Sequence, residues 1–144
     1  MALPELRTRC VKEFPQSTSR GIIMAGLEAV IRRLVDTRIE GELWIDGSFL
    51  TEKIDPGDVD LLLRIKAEIF DNADPEQKRT LEWLETGLKN SFRCDSYVWR
   101  EYPREHALYH VSEDDRIYWT DWFGRSRSGH PKGIAVLAIP QGVV

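Results

Sequence analysis

The sequence predicts an α/β fold of the α+β kind, a small mixed β-sheet flanked by helices. Three observations predict it. Helical and strand-like periodicities alternate in the order helix, strand, strand, helix, strand, then a mixed tail. The segment Val59 to Ile65 carries Leu61-Leu62-Leu63, a run apolar on both faces, which marks a central strand. The chain has 144 residues, 42% hydrophobic and 31% charged, which suits one domain large enough to build a core without staples. Residues 1–144 therefore read as a single domain, with a core at 20–100 and a C-terminal extension at 101–144.

Each element has its own signal. Residues 1–16, with Pro4 and Pro15, read as irregular. Ser17-Thr18-Ser19 offers N-cap hydroxyls ahead of a helix whose Ile23, Leu27, Val30, Ile31, Leu34 and Val35 share one face. Gly41 is expected just past that helix. Glu42 to Asp46 reads as a short strand. Asp55-Pro56-Gly57-Asp58 has the Pro and Gly placement of a type II turn, and Val59 to Ile65 follows as a strand able to pair with the first. Asp74-Pro75 is an N-cap followed by Pro at the first helical position, opening a helix to about Lys89 with Leu81, Leu84 and Leu88 inward. Residues 92–99 read as a third strand. Glu113-Asp114-Asp115 could open a helix carrying Ile117, Tyr118, Trp119 and Trp122; the aromatics Tyr118, Trp119, Trp122 and Phe123 read as core or interface and, less often, as a base-stacking wall. A polar loop at 124–131 leads to a last strand at 134–139.

Charge and composition exclude several functions. The net charge is -4, which argues against a chain whose main work is coating nucleic acid. No apolar run approaches the ~20 residues that a membrane span needs, and the first residues carry no signal-peptide pattern. The two cysteines, Cys10 and Cys94, read as reduced thiols. These features predict a cytoplasmic protein without a membrane partner.

The stretch that points to chemistry is Gly47-Ser48, a spacer at 49–57, then Asp58-Val59-Asp60. On a strand, residues i and i+2 face the same way, ~6–7 Å apart. Two carboxylates so placed suit a pair of divalent cations bound to phosphates. Asp60 beside Leu61-Leu62-Leu63 would be costly as an unpaired buried charge. Asp95, on the third predicted strand, offers a third carboxylate. Gly47 lets a phosphate approach the backbone, and Ser48 adds a hydroxyl donor. No His or Cys set completes a zinc site, and His106 and His110 read as structural.

These residues resemble the nucleotidyltransferase superfamily, the DNA polymerase beta-like fold. Its signature is a hydrophobic residue, Gly-Gly or Gly-Ser, a spacer, then Asp-x-Asp, with a third carboxylate on a later strand. The resemblance covers residues 22–99. It implies catalytic and metal-binding roles for Asp58, Asp60 and Asp95, with Mg2+ or Mn2+ as cofactor and a nucleoside triphosphate as substrate. It implies nucleotide binding by Gly47 and Ser48, assisted by Lys53, Arg125, Arg127 and Lys132. Among minimal nucleotidyltransferases are antitoxins that transfer adenylate onto a toxin. This chain has Leu50-Thr51-Glu52-Lys53 where those usually carry Arg, and Gly57 where they often carry Ser. It looks closer to a family of small bacterial and phage proteins with this fold, from which no activity carries over.

The expected function is thus transfer of a nucleoside monophosphate onto a protein or RNA acceptor, in a toxin–antitoxin or phage-defence setting. A toxin-like partner protein and a homodimer that supplies pocket walls are the partners this implies. The alternative is a non-catalytic binding module on the same fold. The Arg125-to-Lys132 loop, with His130, reads either as a phosphate or RNA clamp or as a solvated loop.

Overall fold

The computed structural model describes residues 1–124 and 134–143. It has the mixed α/β architecture expected. Helix α1 (Leu3–Arg7) and a turn of π-helix (Thr8–Lys12) open the chain, followed by α2 (Arg20–Asp36), β1 (Gly41–Asp46) and a short 3-10 turn (Ser48–Leu50). Then come β2 (Val59–Lys66), α3 (Ala67–Asp71), α4 (Pro75–Glu85), α5 (Lys89–Phe92), β3 (Cys94–Glu101), α6 (Tyr109–Gly124) and β4 (Ala135–Ile139). The sheet order is β3-β2-β1-β4. β1 pairs antiparallel with both β2 and β4, and β2 pairs parallel with β3. β2 is therefore central, as its apolar run predicts.

Several boundaries differ from the sequence reading. Residues 3–12 are helical, because Pro4 stands in the first turn, where its missing N–H costs nothing, and Leu6 and Cys10 bury one face. At the start of α2 the capping hydroxyl is that of Ser17. It accepts from the amides of Ser19 and Arg20 at 3.3 and 3.1 Å, while Ser19 itself caps nothing. Gly41 is the first residue of β1, and Arg38 (φ 61°) takes the left-handed turn that ends α2.

Helix α4 opens as expected at Asp74, whose carboxylate and Gln77 form a reciprocal capping box. It stops at Glu85 because Gly87 (φ 91°) and Leu88 (φ 34°) turn left-handed. The strain at Leu88, ~1–2 kcal/mol, is offset by burying its side chain, worth ~1.5–3 kcal/mol. The short α3 and α5 are not anticipated by the sequence reading. β3 starts at Cys94 rather than at residue 92, and α6 starts at Tyr109 rather than at Glu113. The loop at 124–131 with its Arg125, Arg127 and His130, and Lys132 just beyond it, lie outside the described residues, apart from Gly124, which ends α6.

Strand alternation gives the sheet two different faces. One carries Leu43, Ile45, Val59, Leu61, Leu63, Ile65, Leu137 and Ile139, and packs on Ile23, Leu27, Val30, Ile31 and Leu34 of α2 with Leu81 and Leu84 of α4. This is the main core. The other face carries a smaller cluster of Leu62, Trp99 and Phe123, with Trp44, Tyr97 and Trp119 packed around it.

A buried cation organises the segment between β1 and β2. Arg20 is fully buried at the start of α2. Its guanidinium donates to the carbonyls of Cys10 (2.9 Å), Phe49 (2.6 Å), Thr51 (2.7 Å) and Lys53 (2.7 and 3.1 Å), with Ser48 at 3.5 Å. The plane lies 3.7 Å from the centroid of Phe14. Asp55 ties the same loop to α2 by accepting from the Thr18 amide at 2.7 Å and from the Ser17 and Thr18 hydroxyls.

Two predictions follow from these contacts. Arg20→Met should lower the unfolding free energy by about 3 kcal/mol or more, because several buried carbonyls lose their donor. Urea unfolding measures it, and an unchanged midpoint would refute the role given to Arg20. Asp55 is held below its ordinary value of 3.8, first by the Thr18 amide and then by the hydroxyls. Its contribution is complete above that value and is lost as pH falls through the lower folded-state value. Asp55→Ala should therefore flatten the acid side of the Tm-against-pH curve below about pH 4 and leave its slope near neutrality unchanged.

Candidate functional site

The sheet register builds the site. Asp60 on β2 pairs with Asp46 on β1 and with Asp95 on β3, so the three carboxylates form one row across three strands. Two residues further along lies the row Trp44, Leu62, Tyr97, and beyond it Glu42, Arg64, Trp99. This face of the sheet is thus acidic at one end and aromatic in the middle. Its far end is ion-paired: Arg64 binds Glu42 at 3.2 Å and both carboxylate oxygens of Glu101.

The residues named from the sequence are placed as follows. Asp60 and Asp95 are brought together as neighbours, each half-buried. Asp58 stands just before β2, and its carboxylate meets Lys89 Nζ of α5 at 3.4 Å. Gly47 lies against Asp60: a Cβ there would come within 3.0 Å of Asp60 Oδ2, and its φ of 97° is unfavourable to other residues. Ser48 opens the 3-10 turn, and its carbonyl accepts from the Thr51 amide and hydroxyl. Lys53 gives its carbonyl to Arg20 and leaves its side chain exposed. Arg125, Arg127 and Lys132 are outside the described residues. His106 and His110 do not share a helix face: His106 precedes α6 and accepts from the Leu108 amide through Nδ1 at 2.9 Å.

Sequence reasoning missed Asp46. It is 4% exposed and, like Asp60, is engaged in an interaction. The signal was available, since Asp46 shares strand parity with Trp44, but its alignment with Asp60 depends on register.

Tyr97 completes the row's surroundings. Its hydroxyl donates to Asp95 Oδ2 at 3.2 Å. Burial first, then Asp95 and Asp60, push its pKa up to about 12, so it remains a donor at neutral pH. Cys94 lies on the opposite face. Burial, assisted by Asp58, pushes its thiol up to about 12, so near neutrality it is a protonated thiol rather than a thiolate nucleophile.

The carboxylates are hard oxygen donors of the kind Mg2+ takes. Among the described residues, no three His, Cys, Asp or Glu side chains are arranged as a group that could hold a metal ion. The row is therefore an open array rather than a closed cage. Three hollows, of about 460, 340 and 410 Å³, lie elsewhere and are not lined by Asp58, Asp60 or Asp95. No described helix is long and apolar enough to cross a membrane.

Fold and site together define a mixed α/β protein with a carboxylate row at the end of its central strands. The chain belongs to the family described as "Family of unknown function (DUF6932)", which matches residues 1–138. No curated protein and no solved structure matches the chain.

Gly47→Ala should cost about 1–2 kcal/mol through the left-handed backbone alone. It should also displace Asp60, which chemical shifts of the β2 amides would report. An undisturbed Asp60 would show that Gly47 serves only the turn.

Proposed function

We propose that this chain is a Mg2+-dependent nucleotidyltransferase that moves a nucleoside monophosphate from a nucleoside triphosphate onto a hydroxyl of a protein or RNA acceptor. The observation that carries the proposal is the in-register row of Asp60 and Asp95 beside Gly47. The chain order of Gly-Ser turn, Asp-x-Asp and later carboxylate supports it, as does the neighbouring antiparallel and parallel pairing of the strands that carry them.

In this reading Asp58, Asp60 and Asp95, which do not form a closed metal group in this structure, would hold the metal, and the metal would supply charge neutralisation at the phosphates and the transferred group. Gly47 and Ser48 seat the phosphates, with Lys53 and the basic residues at 125, 127 and 132 assisting. Asp95 is oriented through Oδ2 by Tyr97, and its other oxygen takes the proton of the attacking hydroxyl. The acceptor oxygen forms a bond to the α-phosphorus, the bond from that phosphorus to the bridging oxygen breaks, and pyrophosphate leaves. The acceptor is a toxin-like partner protein or an RNA, and a second copy of the chain supplies further walls. The work is done in the cytoplasm.

A second reading, a non-catalytic binding module, is favoured by the apolar residues that α6 exposes, among them Ile117 at 62% and Tyr118 at 61%.

Asp60→Asn separates the two. In the transferase it should abolish transfer of label from α-labelled ATP, CTP, GTP or UTP with Mg2+ to acceptors in a cell extract, a loss of at least about a hundredfold. Absence of transfer by the wild-type chain with every nucleotide and cation, together with partner binding indifferent to Asp60→Asn, would leave the module as the function.

A further inference from the structure

On the acidic side of the second sheet face, α6 sets aromatic rings next to the carboxylate row. Trp122 packs against Tyr97 (ring centroids 4.9 Å apart, 90°), Trp119 (5.5 Å) and Phe123 (4.9 Å), yet remains 40% exposed. Tyr118, one turn earlier on the same side of α6, packs against Trp119 at 4.9 Å and is also exposed. Tyr97 links this wall to the site, with its ring on Trp122 and its hydroxyl on Asp95. The contacts run without a break from Asp95 through Tyr97 to an exposed, buttressed indole.

We infer that Trp122 and Tyr118 form a nucleobase subsite, on which the base of a nucleoside triphosphate stacks while its phosphates lie at the carboxylate row. The inference rests on the transferase reading and adds to it the element that grips the base.

Three features select this occupant. Trp122 is held by three ring neighbours and Tyr118 by Trp119 before any ligand arrives, so stacking on them sacrifices little side-chain freedom. Every base offers a π-face, and stacking on an aromatic side chain tolerates any of them. The helix also carries Asp114, Asp115 and Asp121, beside Glu113, which is paired with Arg116. That acidity opposes a phosphate backbone or an anionic membrane spread along the helix. It also opposes a second copy of the same face. A small ligand whose phosphate charge is halved by one divalent cation, and held at the carboxylate row rather than along the helix, meets much less of that repulsion.

Calorimetric titration tests the inference with five probes, each with Mg2+: ATP, CTP, GTP, UTP and inorganic tripolyphosphate. The proteins are wild type, Trp122→Ala, Trp122→Phe and Tyr118→Ala. Both side chains are substantially exposed, so the variants should fold, which circular dichroism and Tm verify. Trp122→Ala should weaken nucleoside triphosphate binding about tenfold or more while leaving tripolyphosphate binding unchanged. Trp122→Phe should restore most of the loss, and Tyr118→Ala should show a smaller loss of the same kind.

Nucleotide affinity unchanged in both alanine variants would overturn the subsite and leave the transferase reading standing. Failure of wild type to bind any of the five would overturn both. Conversion of a dimer to a monomer by Trp122→Ala, at constant nucleotide affinity, would overturn the subsite and assign the rings to a subunit contact.

Discussion

The buried guanidinium of Arg20 is the interaction on which the geometry of the site depends. An isolated charge in the interior is among the costliest things a fold can contain. Here every donor of the guanidinium meets a backbone carbonyl, from Cys10 on one side and from residues 48–53 on the other. Burial still pulls its pKa below the ordinary value, opposed by Cys10 and Asp55. The arrangement works in both directions, because the carbonyls of an irregular loop need donors as much as the cation needs acceptors. One side chain thus fixes the π-helical turn, the start of α2 and the loop that leaves Gly47. Without it nothing periodic would define the path from β1 to β2.

With that path set, the sheet register does the rest. Strands in a sheet lie ~4.8 Å apart, so paired residues on one face are neighbours by construction. Asp46, Asp60 and Asp95 are such neighbours. At that spacing, and with an effective dielectric near 20, two like charges repel by ~3 kcal/mol. A row of three needs donors or cations around it, and Tyr97 meets part of that need by donating to Asp95. A purely structural row would be replaced at little cost by apolar residues, as in the neighbouring row of Trp44, Leu62 and Tyr97. Unlike the ion-paired charges at the far end, three carboxylates in one row beside aromatic packing are a local conflict with the core, the kind found at functional sites.

Much of this was legible in the chain because its signals are local. The 3.6-residue stripe of α2, the Asp74-Pro75 start of α4 and the run Leu61-Leu62-Leu63 follow from neighbours in sequence. The missed features are non-local. Arg20 sits on the apolar stripe of α2, in step with Met24, Leu27 and Ile31, and a charge there signals a buried acceptor set. Which acceptors it meets depends on a loop thirty residues away. Asp46 joins Asp60 only through antiparallel register, which a long connection between strands leaves open. The break at Gly87 was masked by helical spacing that continues through Leu88, although Leu88 reaches the core from a different backbone path.

That break matters for the site. The left-handed turn at Gly87 and Leu88 starts α5 at Lys89 and brings its ammonium to Asp58. Lys89 is about two-thirds exposed in this pair, so the contact is of the kind worth no more than ~1 kcal/mol. A divalent cation bound by carboxylates and phosphates gains far more than that from the same oxygens. The ion pair therefore occupies Asp58 without committing it: it satisfies the charge here, and under the proposed function it would yield to a divalent cation. In such an arrangement Asp58 is the movable member, while Asp60, set in the central strand against Gly47, and Asp95, oriented by Tyr97, stay where the sheet holds them.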